Sequence, residues 1–476
     1  MAPNVPALYE LLFAVPMAGA TLSTLNVSLD EPTLTIILQQ LQAKIIFVDS
    51  EFTHLVSRVI NNNYNTHFQE NHHNHKPLLV AIHDVSLDRW TQRDLEVREY
   101  EQTLATGESH FQAMSPANEW DPISVNFTSG TTGAPKGVVH SHRAVFLNSK
   151  RLIRQYEMEK SPVLLWTVDM PQCNGWCFAW AMAELGGVNV CIRNVSREII
   201  FDCIQLHKVT HLSGEYNILK LIAESPLADQ VLPRVDVIVA GGIPTNHLLE
   251  RVEDHGFNII GSYGMTEALG PALIIRRRSS QHHHEEEDDV HDDHDLKCRE
   301  NLANVDVMCW NPLQSVPSDG KTVGEIILRG NNLMTGYFGN PEATQEAFYN
   351  GWYRTRDLGV RHADGSIGVI DRAEDIIRSR NGLIGTLCIE AVLLGHPKVA
   401  EAAVIAQNVF PWQVPCAFVK LKEGKFSNQE EILKFCEEHL QKTAMIPKSV
   451  RFGELPKNFT GKVQKSVLRE SVKGYP

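Results

Sequence analysis

The segment Phe127-Thr128-Ser129-Gly130-Thr131-Thr132-Gly133-Ala134-Pro135-Lys136-Gly137 constrains this chain more than any other stretch. Asp121 to Phe127 (DPISVNF) reads as a strand that opens into the loop, and His140 to Ile153 reads as a helix beyond it. Glycines let a backbone approach a phosphate closely. Ser and Thr hydroxyls can donate to phosphate oxygens, and Lys136 adds a positive charge. The spacing is not the Walker pattern GxxxxGK[ST]. Pro135 stands where that pattern needs glycine, and Gly137 stands where it needs a hydroxyl. A plain P-loop ATPase or kinase is therefore disfavoured. The plainer alternative is an ordinary flexible Gly/Thr loop.

Other apolar runs supply the sheet. Ala43 to Asp49 (AKIIFVD), Val235 to Ala240 (VDVIVA) and Phe257 to Ser262 (FNIIGS) read as buried strands alternating with helical patterns. That alternation predicts an α/β fold with substantial parallel sheet. At roughly 150 residues per domain, 476 residues imply two to three structural units. Residues 61–75, rich in Asn and His, read as a loop. The character changes after about Asp371. Ala400 to Ala406 and Cys416 to Leu421 read as strands of a smaller unit. Ser427-Asn428-Gln429-Glu430 then matches a capping box with Ser427 as N-cap, followed by Ile432, Leu433, Cys436 and Leu440 on one helical face. The expected domains are 1–370 and 371–476.

Charge and composition narrow the function. Hydrophobic residues at 43% and charged residues at 21% exclude a wholly disordered, collagenous or coiled-coil chain. A net charge of -13 argues against a dedicated nucleic-acid binder, but residues 282–295 alone hold eight acids and no Lys or Arg. The surrounding stretch 279–297 also holds five His, so it could bind metal or be a solvated surface loop; no fixed ligand spacing supports a closed site. Nine cysteines without a CxxC pair suit a reduced compartment. No secretory signal is evident, and no run reaches the roughly 18 apolar residues of a membrane span. Gly474-Tyr475-Pro476 is not a peroxisomal tripeptide of the Ser-Lys-Leu kind, so the cytoplasm is the expected location, with the peroxisome as the alternative.

Five motifs in order resemble the adenylate-forming, acyl-activating enzymes. Thr128 to Gly137 resembles that family's phosphate loop, and Ser262-Tyr263-Gly264-Met265-Thr266-Glu267 its YGxTE segment. Gly351-Trp352-Tyr353-Arg354-Thr355-Arg356-Asp357 resembles GW-x-TGD, Asp371-Arg372 the start of the hinge, and Pro456 to Lys465 (PKNFTGKVQK) the C-terminal lysine motif. EWDPISVNFTSGTT and CNGWCFAW are similar to plant enzymes of the benzoate and short- or medium-chain type. The resemblance implies a large domain of sheets flanked by helices and a small mobile α+β C-terminal domain. It implies a carboxylate–CoA ligase that makes an acyl-adenylate from ATP, then an acyl-CoA. Its substrates would be a small carboxylic acid, ATP and CoA, with Mg²⁺ as cofactor; oligomeric state is open.

The resemblance also assigns residues. Lys462, Glu267 and Thr132 would be catalytic, with Glu267 holding the metal. Thr128, Ser129, Gly130, Thr131, Thr132, Gly133 and Lys136 would cradle phosphates; Tyr263, Gly264 and Thr266 would line the nucleotide site. Asp357 would accept from the ribose hydroxyls, and Arg372 would reach the ribose or α-phosphate. Gly241-Gly242 would be an adenine-side loop, or equally a structural turn. Trp176, Glu215 and Gly261 to Gly264 would border the acyl group. Taken singly these residues have plainer readings: a solvated acid for Glu267, core packing for Tyr263, a cap for Asp357, a surface ion pair for Arg372 and a solubilising lysine for Lys462.

Several positions depart from the pattern. The chain opens on a segment resembling an internal part of the family, which suggests missing N-terminal residues. Ser379-Arg380-Asn381-Gly382 replaces Ser-Gly-Gly-Glu and bears on the thioester step. Gln172 replaces a usual histidine, and Glu374 stands at the hinge where Asp or Lys is usual. The segments after Trp412 and Met445 look shortened. The opening segment and the altered 379–382 loop motivate one alternative: a nucleotide-binding pseudoenzyme or truncated inactive member.

Overall fold

The structure is a computed structural model and describes residues 1–67, 76–83, 97–128, 134–225, 233–242, 244, 246–275, 297–298, 300–301, 304–310, 313–440, 442–458 and 461–472. The chain divides into two compact units. The first comprises Met1–Ser213, Met265–Gly270 and Asn331–Gln345; the second comprises Gly214–Gly264, Pro271–Gly330 and Glu346–Pro476. The fold class is α/β, as expected.

In the first unit, Ile45–Asp49 pairs in parallel with Leu78–Ile82, which pairs in parallel with Val97–Glu99. Val163–Trp166 is flanked in parallel by Val188–Cys191 and the start of His211–Glu215. The core of this sheet is apolar, and Leu164, Leu165 and Trp166 are fully buried. The region around the glycine-rich loop is a hairpin rather than a strand followed directly by a helix. Pro122–Thr128 pairs antiparallel with Lys136–Ser141, so Thr128 faces Lys136 across the ladder. Gly137, the second residue of the return strand, has no room for a side chain: a Cβ there would lie 2.9 Å from Val125 and 3.1 Å from Phe338. The helix His142–Gln155 starts after this strand, with Ser141 as its N-cap accepting from Ala144 N at 3.1 Å. Its start therefore falls two residues later than the sequence pattern suggests, because His140 and Ser141 complete the ladder.

One loop expectation is corrected. The helix Thr53–His67 runs through 61–67, and residues 68–75 lie outside the described part. Val56, Val59 and Ile60 are buried at helical spacing, so the helix continues into the polar Asn-rich turns. The acidic, His-rich stretch lies almost wholly outside the described residues, as does its possible metal site.

In the second unit, Val235–Ala240 and Phe257–Met265 pair in parallel. A separate antiparallel sheet carries Asn304–Trp310, Gly324–Arg329, Trp352–Arg361 and Ile367–Arg372 in that order. Beyond it in sequence, Val399–Val409 and Trp412–Leu421 form a long hairpin, with Ser449–Phe452 added in parallel. Helices Thr386–Gly395 and Gln429–His439 contribute to one cluster on this sheet, in which Ile389, Leu393, Val404, Val419 and Ile432 are fully buried. Burying each such side chain contributes about 1.5–3 kcal/mol. The cap is shifted by one residue: Asn428, not Ser427, is the N-cap and accepts from Glu431 N at 2.9 Å. Ser427 Oγ instead donates to the Glu431 carboxylate at 2.8 Å.

Candidate active site

The first unit assembles one group of candidate residues. Lys136 begins the return strand of the hairpin, and its Nζ lies 5.2 Å from the centre of the Tyr337 ring. Tyr337 Oη donates to Glu267 Oε1 at 2.8 Å. The strand Gly336–Tyr337 pairs with Lys136–Ser141, and Met334 N donates to Glu267 O at 2.8 Å. Thr266 Oγ1 accepts from Cys173 Sγ at 3.1 Å. Thr128 closes the ladder at the loop's start; Ser129, Gly130, Thr131, Thr132 and Gly133 lie outside the described residues.

The same unit holds a buried polar chain. Asn126 Nδ2 donates to Asn174 Oδ1 at 2.7 Å, and Asn174 Nδ2 donates to Thr24 Oγ1 at 3.1 Å. Asn174 belongs to a left-handed turn: Cys173, Asn174, Gly175, Trp176 and Cys177 all have φ between 48° and 68°. Such backbone costs roughly 1–2 kcal/mol per non-glycine residue and persists only when surrounding contacts over-determine it. Gly175 and Gly270 permit the packing, since a Cβ at the first would collide with the Trp166 ring and one at the second would lie 3.1 Å from Trp176. His140, on the return strand, is fully buried; burial drives its pKa down to about 4, against an upward pull from the Thr266 backbone.

The second unit assembles another group. Tyr263 Oη donates to Asp357 Oδ2 at 2.6 Å, and Asp357 stands opposite Arg372 in the antiparallel ladder. Tyr263 and Asp357, 94 positions apart, are thus brought together, and Arg372 is placed beside Asp357 by the backbone ladder. Asp357 N also donates to Thr355 Oγ1 at 3.0 Å, which fixes the backbone just before the carboxylate. Arg372 is exposed and lies 3.9 Å from Glu374. Gly241, with φ 88°, follows the strand Val235–Ala240, and a Cβ there would meet Glu215 at 3.8 Å. Gly264 is exposed near the strand's end, and Gly261 packs against Ile275.

Lys462 is exposed. Its N donates to Asn458 Oδ1 at 3.0 Å, and its O accepts from Asn458 N at 2.9 Å. The altered segment Ser379 to Gly382 is a turn, in which Ser379 pairs with Gly382 and both Arg380 and Asn381 are exposed.

Sequence reasoning passes over Tyr337. The available signal was a single tyrosine after glycine in Met334-Thr335-Gly336-Tyr337, just before the helix Pro341–Ala347. Nothing local shows that its hydroxyl meets a residue 70 positions earlier.

Known proteins resemble this chain over nearly its whole length. Residues 1–338 match the AMP-binding enzyme family, and residues 388–462 match the AMP-binding enzyme C-terminal domain. A peroxisomal butyrate–CoA ligase of Arabidopsis thaliana is 41% identical, covering 99% of this chain and 83% of the relative. A peroxisomal trans-cinnamate:CoA ligase of Petunia hybrida is 40% identical, covering 100% of this chain and 85% of the relative. The fold is similar to O-succinylbenzoate coenzyme A synthetase from Bacillus subtilis, solved with ATP and magnesium, at a TM-score of 0.78, 22% identity and coverage of 98% of this chain and 88% of that one. This chain belongs to the AMP-binding enzyme family.

Proposed function

We propose that the protein is an ATP-dependent carboxylate–CoA ligase. The reading is carried by the Tyr263–Asp357–Arg372 grouping, a hydroxyl, a carboxylate and a guanidinium suited to a ribose and its phosphate. The names of the relatives support the same reading. In the first step a carboxylate oxygen of the acid attacks the α-phosphorus of ATP. The bond to the bridging oxygen breaks, and pyrophosphate leaves with its electron pair. In the second step the CoA sulfur attacks the acyl carbon, its proton is lost to base, and AMP departs.

Two anions must meet in the first step, so cationic residues and positioning carry the catalysis. Lys136 and the loop from Thr128 would hold phosphates, and Lys462 would bridge the carboxylate and the α-phosphate. The catalytic set is Lys462, Glu267 and Thr132. Glu267 is a hard oxygen donor and half-buried, which fits Mg²⁺, an ion that usually keeps waters and takes one or two carboxylates. When bound, the ion would neutralise phosphate charge. Gly241, Tyr263, Gly264 and Thr266 would border the nucleotide. CoA would be the acceptor in the second step.

The domain boundary near 370 is part of this proposal. The buried cluster from Ile377 to Val450 draws all its members from the C-terminal part, which supports a separate domain 371–476. Among the described residues no helix is long and apolar enough to cross a membrane. The names of both plant relatives support a peroxisomal location over the cytoplasm.

The test is pyrophosphate release, and then CoA-dependent thioester formation, across short aliphatic and aromatic acids. Lys462→Ala should slow adenylation by about 10²–10³ while leaving the fold intact. Unchanged turnover in that variant would overturn the role of Lys462. Pyrophosphate release without thioester would separate the two half-reactions.

A further inference from the structure

We propose that Tyr337 is a positioning residue that keeps Lys136 and Glu267 apart, so that each stays available to a nucleotide and its cation. The inference rests on the adenylation reading above. Its observations are the hydrogen bond from Tyr337 Oη to Glu267 Oε1 at 2.8 Å and the Lys136 Nζ placed 5.2 Å from the ring centre.

A lysine and a glutamate in one cleft tend to pair, and their attraction strengthens as water is excluded. Such a pair would compete with phosphate for the lysine and with a metal for the carboxylate. Among the described residues Glu267 forms no ion pair with Lys136. Tyr337 offers each a different partner. Its hydroxyl donates to one carboxylate oxygen and leaves the second, Oε2, outside that bond. Its ring face attracts the ammonium through the quadrupole without consuming the lysine's charge.

The backbone holds the tyrosine in this place. Gly336 and Tyr337 pair with Val139 and Val138, Phe338 N donates to Gly137 O at 2.7 Å, and Tyr337 N donates to Thr344 Oγ1 at 2.8 Å. A side chain at Gly336 would come 2.8 Å from Thr344 Cγ2, so that ladder position needs glycine. Met334 N, on the same segment, holds Glu267 O. One short segment therefore fixes both the strand that carries Lys136 and the backbone that carries Glu267.

Tyr337→Phe separates the two contacts, because it keeps the ring and removes the hydroxyl. The full chain is titrated by calorimetry with ATP in EDTA and with ATP plus MgCl₂. Wild type should bind ATP more tightly when magnesium is present. Tyr337→Phe should lose about tenfold in the magnesium-containing titration and little in EDTA. Tyr337→Leu, lacking both contacts, should weaken both titrations. In steady-state assays the KM for the carboxylic acid should stay constant while the magnesium dependence moves to higher concentration. Equal binding by Tyr337→Phe and wild type in both titrations would overturn the proposal.

Circular dichroism and melting curves accompany each variant. A double-mutant comparison supplies a second route: Tyr337→Phe should cost little once Glu267→Gln is present. Fully additive losses would also overturn the proposal. If wild type binds no ATP in either titration, the adenylation reading itself fails, which is a different result from a silent Tyr337→Phe.

Discussion

Arg356 occupies left-handed backbone, φ 62°, one residue before Asp357. The resembling segment has glycine at this place, where positive φ carries no Cβ penalty. Two bonds pin the peptide: Arg356 N donates to Glu325 Oε1 at 3.0 Å, and Ala373 N donates to Arg356 O at 2.8 Å. Glu325 is in turn held by Trp310 Nε1 and by Arg354. The turn thus tolerates a costly residue because its surroundings determine the backbone. Arg356→Gly should retain the fold and change stability by no more than about 1 kcal/mol. Arg356→Val should lose about 1–3 kcal/mol in urea unfolding and weaken nucleotide binding through Asp357. A valine variant as stable as wild type would refute this account. Asp357 itself was legible as a site candidate from its motif. The strain beside it was not, because φ is set by the neighbours that grip the peptide.

The terminal helix Lys465–Val472 is fixed by buried charge as well as by Leu468. Lys465 Nζ lies 2.7 Å from Glu390 Oε1 and donates to Thr386 Oγ1 at 2.7 Å. Thr386 Oγ1 and N both donate to Asp371 Oδ2, and Arg469 bonds Asp375. Burial works against the charge on Lys465, but Glu390, Asp375 and Asp371 outweigh it and raise the pKa above the ordinary 10.5. A raised lysine pKa contributes stability in full below the unfolded value, and that contribution fades as pH rises through the folded value. Melting temperature should therefore fall in the alkaline range above about 10.5 for wild type. Lys465→Met should begin about 3–5 kcal/mol lower and lose less over the same range. Parallel alkaline losses in both proteins would remove Lys465 from the explanation. The lysine motif ends at Lys465, and the sequence predicts no helix beyond it; the ion cluster gathers residues from several segments and has no local signature.

At the scale of the whole molecule, ligand binding should appear as stability. A nucleotide bound only by the folded chain at about 100 times its Kd adds roughly 2.7 kcal/mol. ATP with magnesium should therefore raise the unfolding midpoint, and the gain should grow with nucleotide concentration. An unchanged midpoint at millimolar ATP would count against nucleotide binding altogether. Both units carry candidate residues: Lys136, Thr266 and Glu267 belong to the first, while Tyr263, Asp357, Arg372 and Lys462 belong to the second. The chain's discontinuous division at Ser213, Met265 and Asn331 follows no composition change visible in the sequence.

Sequence alone determined the strands Ile45–Asp49 and Val235–Ala240 and the part of Phe257–Met265 up to Ser262, because short apolar β-branched runs suit a largely buried sheet. It also carried the family as a resemblance, through five motifs in order along the chain. Tertiary structure alone decided that Pro122–Thr128 and Lys136–Ser141 pair antiparallel, that residues 61–67 are helical, and that Asn428 caps its helix. It alone placed Tyr337 against Glu267 and turned Cys173 to Cys177 left-handed. The physical reason is common to these cases. Local propensity differs between such alternatives by about 1 kcal/mol, while long-range hydrogen bonds and packing contribute several.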